Sequence, residues 1–256
     1  QRLLQGRRLM GNGTFQTALI LTASRPTRIA LPFPIADHVP SAVPTEMIEQ
    51  VVRRYGITET QHRAVTLYDI VGFSLVEPRS QVAQLNSLEC SINAAQGMLR
   101  ELGKTIDLAR TTTGDGFYIW NREKGAQADL DTYLLTMLVL ADNAVARADH
   151  RPDMVPELRT CFSVGPHYSY YQVDGLDPRG HDYIVGDVTI GLARMASKCL
   201  PGQILIGDFT RPADHETDPV NPLEFVINAD GAFARLDGLR LHGRTVRGVR
   251  CYLTGE

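Results

Sequence analysis

The chain has 256 residues, 43% of them hydrophobic and 21% charged, with a formal net charge of −3. That length can bury a sizeable core, and one large domain is its simplest arrangement. The charge balance supplies no basic footprint for a nucleic-acid duplex, and no apolar stretch reaches the length of a membrane span. The longest candidate, residues 132–148, is interrupted by Asp142 and Arg147 and reads as a packed helix. No signal peptide is evident. The chain begins at Gln1 rather than Met, which points to a segment upstream. The four cysteines, Cys90, Cys161, Cys199 and Cys251, have no CxxC spacing. They are expected as buried free thiols of a reducing cytoplasm rather than as disulfides or a zinc set.

Residues 1–60 read as an N-terminal arm or linker. Pro32, Pro34, Pro40 and Pro44 prevent a long helix there, and Thr45 is placed to cap a short one that Gly56 stops. From Ala64 to Asp69 an apolar run predicts a central strand. Val82, Leu85, Leu88, Ile92 and Leu99 recur near helical spacing and predict a helix over 80–102, ended by Gly103. Strands over 106–113 and 117–120 form a hairpin around Gly114-Asp115-Gly116. A second helix is expected over 128–148, then a strand over 158–164, a second extended stretch over 168–173 and a loop over 174–181. A third helix begins near Asp187, and residues 203–206 form a strand. The tail 225–253 reads as further β structure, with its last strand over 247–253. The β-α-β-β-α-β order fits a ferredoxin-like α/β sandwich.

Two aspartates stand where strands run out. Asp69 closes Ala64-Val65-Thr66-Leu67-Tyr68-Asp69 and is followed by Ile70-Val71-Gly72-Phe73-Ser74; Asp115 lies in the Gly-Asp-Gly hairpin. Hard oxygen ligands beside flexible backbone suit Mg²⁺ or Mn²⁺ carrying a polyphosphate. Gly72-Phe73-Ser74 leads into the first helix, where backbone N–H groups can hold phosphate oxygens.

These blocks, with Tyr183-Ile184-Val185-Gly186-Asp187 through Met195 and Lys198 through Ile206, resemble the catalytic domain of class III nucleotidyl cyclases. The resemblance runs from Arg63 to Ile206 and on toward Leu253, and marks 61–256 as the catalytic domain. It implies a ferredoxin-like sandwich with an antiparallel sheet, assembled as a head-to-tail homodimer with composite active sites. It also implies two divalent metal ions, Mn²⁺ or Mg²⁺, held by Asp69, Asp115 and the backbone carbonyl of Ile70. Gly72, Phe73 and Ser74 would bind the triphosphate. Arg194, supplied by the partner chain, would steady the transition-state phosphate. Arg240, His242 and Arg244 lie near the family's phosphate-binding lysine.

The base pocket departs from the purine pattern. Adenylate cyclases have a lysine where Thr111 stands and an Asp or Thr where Tyr183 stands; the guanylate pair of Glu and a Cys-like residue is also missing. A purine edge needs specific buried partners. A bulky tyrosine shrinks the pocket, and the hydroxyls of Thr111 and Tyr183 can serve a pyrimidine. Arg110 and Asp182 flank those positions. This combination resembles the bacterial Pycsar-type pyrimidine cyclases, which make cyclic UMP or cyclic CMP as an anti-phage signal for a separate effector. The expected substrate is therefore UTP, or CTP, in the cytoplasm. Ile190 replaces the family's asparagine. That keeps two alternatives open: an atypical adenylate or guanylate cyclase, and a non-catalytic nucleotide-binding pseudo-cyclase.

Overall fold

A computed structural model describes residues 57–149, 153–173, 180–213, 218–233, 240–241 and 244–245. The expected helix over 45–55, almost all of the arm 1–60, the strand over 247–253, His242 and Cys251 lie outside the described residues.

The architecture is α+β. Strand β1 is Ile57–Ile70, helix α1 is Pro78–Glu101, and strands β2 and β3 are Leu108–Thr112 and Gly116–Asn121. Helix α2 is Ala126–Asp149, strand β4 is Leu158–Val173, strand β5 is Gly180–Val185 and helix α3 is Asp187–Ala196. Strand β6, Ile204–Ile206, and helix α4, Pro222–Phe233, follow, with short strands β7 (Arg240–Leu241) and β8 (Arg244–Thr245). The main sheet runs β2-β3-β1-β4-β5, with β6 parallel to β4 off that path. Its first four strands have the order of a ferredoxin-like core. β1–β3 and β2–β3 are antiparallel, so the expected antiparallel sheet is found there, while β6 makes the whole sheet mixed.

Contacts divide the chain into two units. The smaller holds Tyr168–Tyr183 and residues up to Thr60; the larger holds Gln61–His167 and everything from Ile184. Within the larger, β1 is buried on both faces, which is why its sequence is almost unbroken apolar. Tyr68 and Ile70 pack with Leu88, Ile92 and Leu99 of α1, Leu135 and Val139 of α2, and Phe162 of β4. Val65 and Leu67 turn to the opposite face, with Cys161, Val188 and Leu192, under α3.

Three expectations are corrected. Residues 158–173 form one strand rather than two stretches, because proline's fixed φ suits an extended chain and Pro166 costs only a ladder donor. Residues 222–233 are helical rather than β. Asn221 Oδ1 accepts the Glu224 N–H at 3.0 Å, Glu224 Oε2 accepts the Val220 N–H at 3.0 Å, and Pro222 occupies the first helical position. Phe225 then anchors α4 to the core, stacked on Phe162 and edge-on to Tyr133 and Phe209. Finally, Cys161 and Cys199 are buried free thiols, but Cys90 is exposed on α1. No helix among the described residues is long and apolar enough to cross a membrane.

Candidate active site

The register of β1 on β3 sets Asp69 opposite Gly116, so Asp115 arrives beside the end of β1. The Ile70 N–H donates to the Asp115 carbonyl at 3.0 Å. Gly116 is required there, since a Cβ would stand 1.9 Å from the Tyr68 carbonyl oxygen. Gly114 turns the hairpin at φ 101°, in the region that favours glycine. Thr113 Oγ1 donates to Asp115 Oδ1 at 3.0 Å, and Thr112 Oγ1 accepts the Gly114 N–H at 3.0 Å. The hairpin that carries Asp115 is therefore fixed by its own side chains.

Asp69 lies on the α3 side of the sheet, with Val65 and Leu67. Arg159, at the matching place on β4, brings Nη2 to 2.6 Å from Asp69 Oδ2. The contact is an off-axis ion pair, for that buried carboxylate oxygen accepts no aligned hydrogen bond. Burial pushes the Asp69 carboxyl above its ordinary range; Arg159 pulls it back and the neighbouring Asp115 pushes it up again. Two carboxylates thus share a partly dry corner with one guanidinium, a place where positive charge is under-supplied.

That corner fits a hard divalent cation. It offers carboxylate oxygens from Asp69 and Asp115 beside the Ile70 backbone, one of which, Asp69 Oδ2, is ion-paired with Arg159. Among the described residues no group of three or more His, Cys, Asp or Glu side chains could hold a metal. A two-carboxylate set instead suits Mg²⁺-like ions that keep waters and take further oxygens from phosphate.

Gly72 is left-handed at φ 67° and starts a single 3-10 turn, Phe73–Leu75. The Leu75 N–H closes that turn on the Gly72 carbonyl at 2.8 Å, and Gln81 Nε2 donates to the Phe73 carbonyl at 2.9 Å. α1 begins only at Pro78, so Gly72-Phe73-Ser74 is a turn ahead of the helix rather than its first turn. Arg194 sits in the last turn of α3, exposed, on the same face as the half-exposed Ile190. Arg194 makes no ion pair or hydrogen bond to either carboxylate among the described residues. Tyr118 Oη donates to the Thr189 carbonyl at 3.0 Å and ties α3 to β3.

Thr111 pairs with Tyr118 in the larger unit. Tyr183 belongs to the smaller one, where its ring lies flat on Tyr170 with centroids 5.3 Å apart. Arg110 is held by Glu89 at 2.5 Å. Arg240 and Arg244 begin the two-stranded β7–β8 pair. Sequence reasoning passed over Arg159 and Tyr118. An arginine inside the apolar run Leu158-Arg159-Thr160-Cys161-Phe162 was the available signal, since a charge in a buried strand needs a partner.

No family model and no curated protein matches the chain. Solved structures with a similar backbone include the guanylate cyclase domain of RhGC from Catenaria anguillulae in complex with GTP. That likeness has a TM-score of 0.45 and 18% identity, over 64% of this chain and 94% of that one. The adenylyl cyclase CyaB from P. aeruginosa has a TM-score of 0.43 and 18% identity, over 64% and 93%. The monomeric guanylyl cyclase domain of the RhoGC fusion protein from Blastocladiella emersonii has 0.44 and 18%, over 59% and 83%. At such values the functional reading rests on the residues of this chain.

Proposed function

We propose that the chain is a metal-dependent nucleotidyl cyclase acting on a pyrimidine nucleoside triphosphate, UTP ahead of CTP. The observation that carries this reading is the side-by-side placement of Asp69 and Asp115 at the end of β1, with Arg159 against Asp69. In the reaction the ribose 3′-oxygen attacks the α-phosphorus, the 3′-hydroxyl proton is released, and pyrophosphate leaves. When bound, Mg²⁺ or Mn²⁺ supplies Lewis acidity to the 3′-hydroxyl and neutralises the triphosphate. Asp69 and Asp115 would hold the ions, with the Ile70 carbonyl as a further oxygen. Arg159 balances Asp69 and is placed to meet a phosphate oxygen. The turn Gly72-Phe73-Ser74 would supply backbone N–H groups to the triphosphate.

Arg194, exposed on α3, suits a role across a homodimer, in which each chain completes its partner's site. By the family resemblance Thr111 and Tyr183 stand at the base-reading positions. A bulky tyrosine in such a position favours the smaller base. By resemblance to the pyrimidine cyclases of bacterial defence, the cyclic product would signal to a separate effector during phage infection. Ile190, which cannot hydrogen-bond a ribose, favours one second reading, a nucleotide-binding pseudo-cyclase. Incubation with ATP, GTP, CTP and UTP plus Mn²⁺, with products resolved by mass, separates these. Cyclic UMP or cyclic CMP alone is the expected result. Cyclic AMP or GMP would refute the base assignment, and nucleotide binding without any product would favour the pseudo-cyclase.

A further inference from the structure

Tyr118 stands where three elements meet. On β3 it lies directly opposite Leu67 of β1 and Thr111 of β2. Side chains directly opposite one another share a face of the sheet, with Cβ atoms about 5 Å apart. The neighbouring rungs agree. Ala109 and Trp120 pack with Val188 and Leu192 of α3, whereas Arg110, opposite Ile119, meets Glu89 of α1 on the other face. Leu67, Tyr118 and Thr111 therefore form one row on the α3 face. The Tyr118 ring is half-buried in it and is held at both ends. Its root is fixed on β3, and its Oη donates to the Thr189 carbonyl at 3.0 Å, in the first turn of α3. Thr189 is fixed in turn, since its N–H and its Oγ1 both donate to the Gly186 carbonyl, at 3.1 and 2.8 Å. Burial, and then Cys161, Asp115 and Asp69, push the phenol above its ordinary range, so the hydroxyl keeps its proton at neutral pH.

With its tip tethered, the ring cannot swing clear of Thr111 by a change of rotamer. Thr111 itself is half-exposed, and its hydroxyl has no hydrogen-bond partner among the described residues. It is thus able to donate to or accept from a ligand, with an immobile aromatic ring on the adjacent strand. We propose that Tyr118 is a specificity-determining residue, whose ring, spanning from β3 to α3, limits the space beside Thr111 to a base of one ring and disfavours the second ring of a purine. This rests on the base-reading placement of Thr111 given above and adds a residue to it. Because the Tyr118 O–H is spent on Thr189, the discrimination comes from the bulk of the ring rather than from a hydrogen bond to the base. A steric limit of that kind acts on the ratio between two ligands, which a loss of fold stability alone does not change.

The test is calorimetric titration of the full chain, with Mn²⁺, by 3′-deoxy-UTP and by 3′-deoxy-ATP. Neither ligand has the 3′-hydroxyl, so neither can cyclise and binding is read without turnover. The native chain is expected to bind the pyrimidine more tightly. Tyr118→Ala removes the ring and should shift the affinity ratio toward the purine by at least about 10-fold. Tyr118→Phe keeps the ring and loses only the tie to Thr189, and its ratio should stay closer to the native one than to that of the alanine variant. Each variant is checked for cooperative unfolding, and Tyr118→Leu carries the same prediction if the alanine variant does not fold. A native preference that persists unchanged in Tyr118→Ala or Tyr118→Leu would overturn this role alone, as would a phenylalanine variant as permissive as the alanine one. A native chain that binds both ligands equally would overturn the pyrimidine assignment and this role together, and one that binds neither would overturn the nucleotide reading on which both stand.

Discussion

Gly116→Ala should disable the candidate site without touching any of its functional groups. The added methyl would fall 1.9 Å from the Tyr68 carbonyl oxygen and 2.9 Å from its carbon, both backbone atoms that no side-chain rotation can clear. To restore an ordinary contact, β3 must move from β1 by at least about 1 Å at this rung, which is the rung that sets Asp115 beside Asp69. Overpacking of that kind costs roughly 1–3 kcal/mol, or about 3–10 °C in Tm for a domain of this size. A displacement of about 1 Å between catalytic groups costs on the order of 100-fold in rate. The assays are thermal unfolding and pyrophosphate release with Mn²⁺. Gly97→Ala is the control: it lies inside α1 with nothing within 4 Å of an added Cβ, and should stabilise by about 0.5–1 kcal/mol at an unchanged rate. A Gly116→Ala protein that turns over at the wild-type rate would refute the claim that this close strand pairing sets the site.

Other consequences follow from the packing and the buried charges. Phe225→Ala removes a ring that touches Phe162, Tyr133 and Phe209, and should destabilise by about 3–5 kcal/mol in urea unfolding; a loss under 1 kcal/mol would mean that α4 is not docked on this core. Asp129 is buried, accepts the Ala64 N–H at 2.7 Å and pairs with Arg211, yet burial raises its carboxyl to about 6. A carboxyl raised above its unfolded value contributes stability fully below about pH 4, and that contribution is lost as pH rises through about 6. The stability of the native protein relative to Asp129→Asn should therefore fall between pH 4 and 7, by an amount on the order of 3 kcal/mol; parallel pH profiles would contradict the assignment. Mixing Asp69→Ala with Arg194→Ala protein should recover part of the activity if sites are shared between two chains. No recovery after confirmed subunit exchange would count against it.

What the sequence made legible follows from how directly each residue's environment is local. α1, the β2–β3 hairpin, α2 and α3 carried periodicity or turn chemistry and lie within a few residues of their expected places, while β1 starts at Ile57, well before the Ala64 expected for it. Asp69 and Asp115 were paired through the resemblance to class III nucleotidyl cyclases, carried by the strand-end Asp69 and the Gly114-Asp115-Gly116 hairpin. α4 was missed because its apolar residues were weighed as strand, although Asn221-Pro222 with Glu224 is a helix-start signature. The two stretches expected over 158–164 and 168–173 are joined through Gly165-Pro166, where Gly165 lets Val188 of α3 approach to 3.1 Å from where its Cβ would be. Arg159 was invisible to motif reading because its role exists only across strands: β4 must lie beside β1 before the guanidinium can meet Asp69. Tyr118 likewise acts on α3, far along the chain, through its hydroxyl.

The most direct test of the account compares Mn²⁺-dependent pyrophosphate release from UTP and CTP by the native chain, Asp69→Asn and Asp115→Asn. Each variant is checked for a native-like circular dichroism spectrum and cooperative unfolding. Loss of at least 100-fold in rate in both folded variants, with activity in the native chain that disappears on chelation, is the predicted result. Undiminished release in either folded variant would contradict the assignment of the chemistry to these two carboxylates.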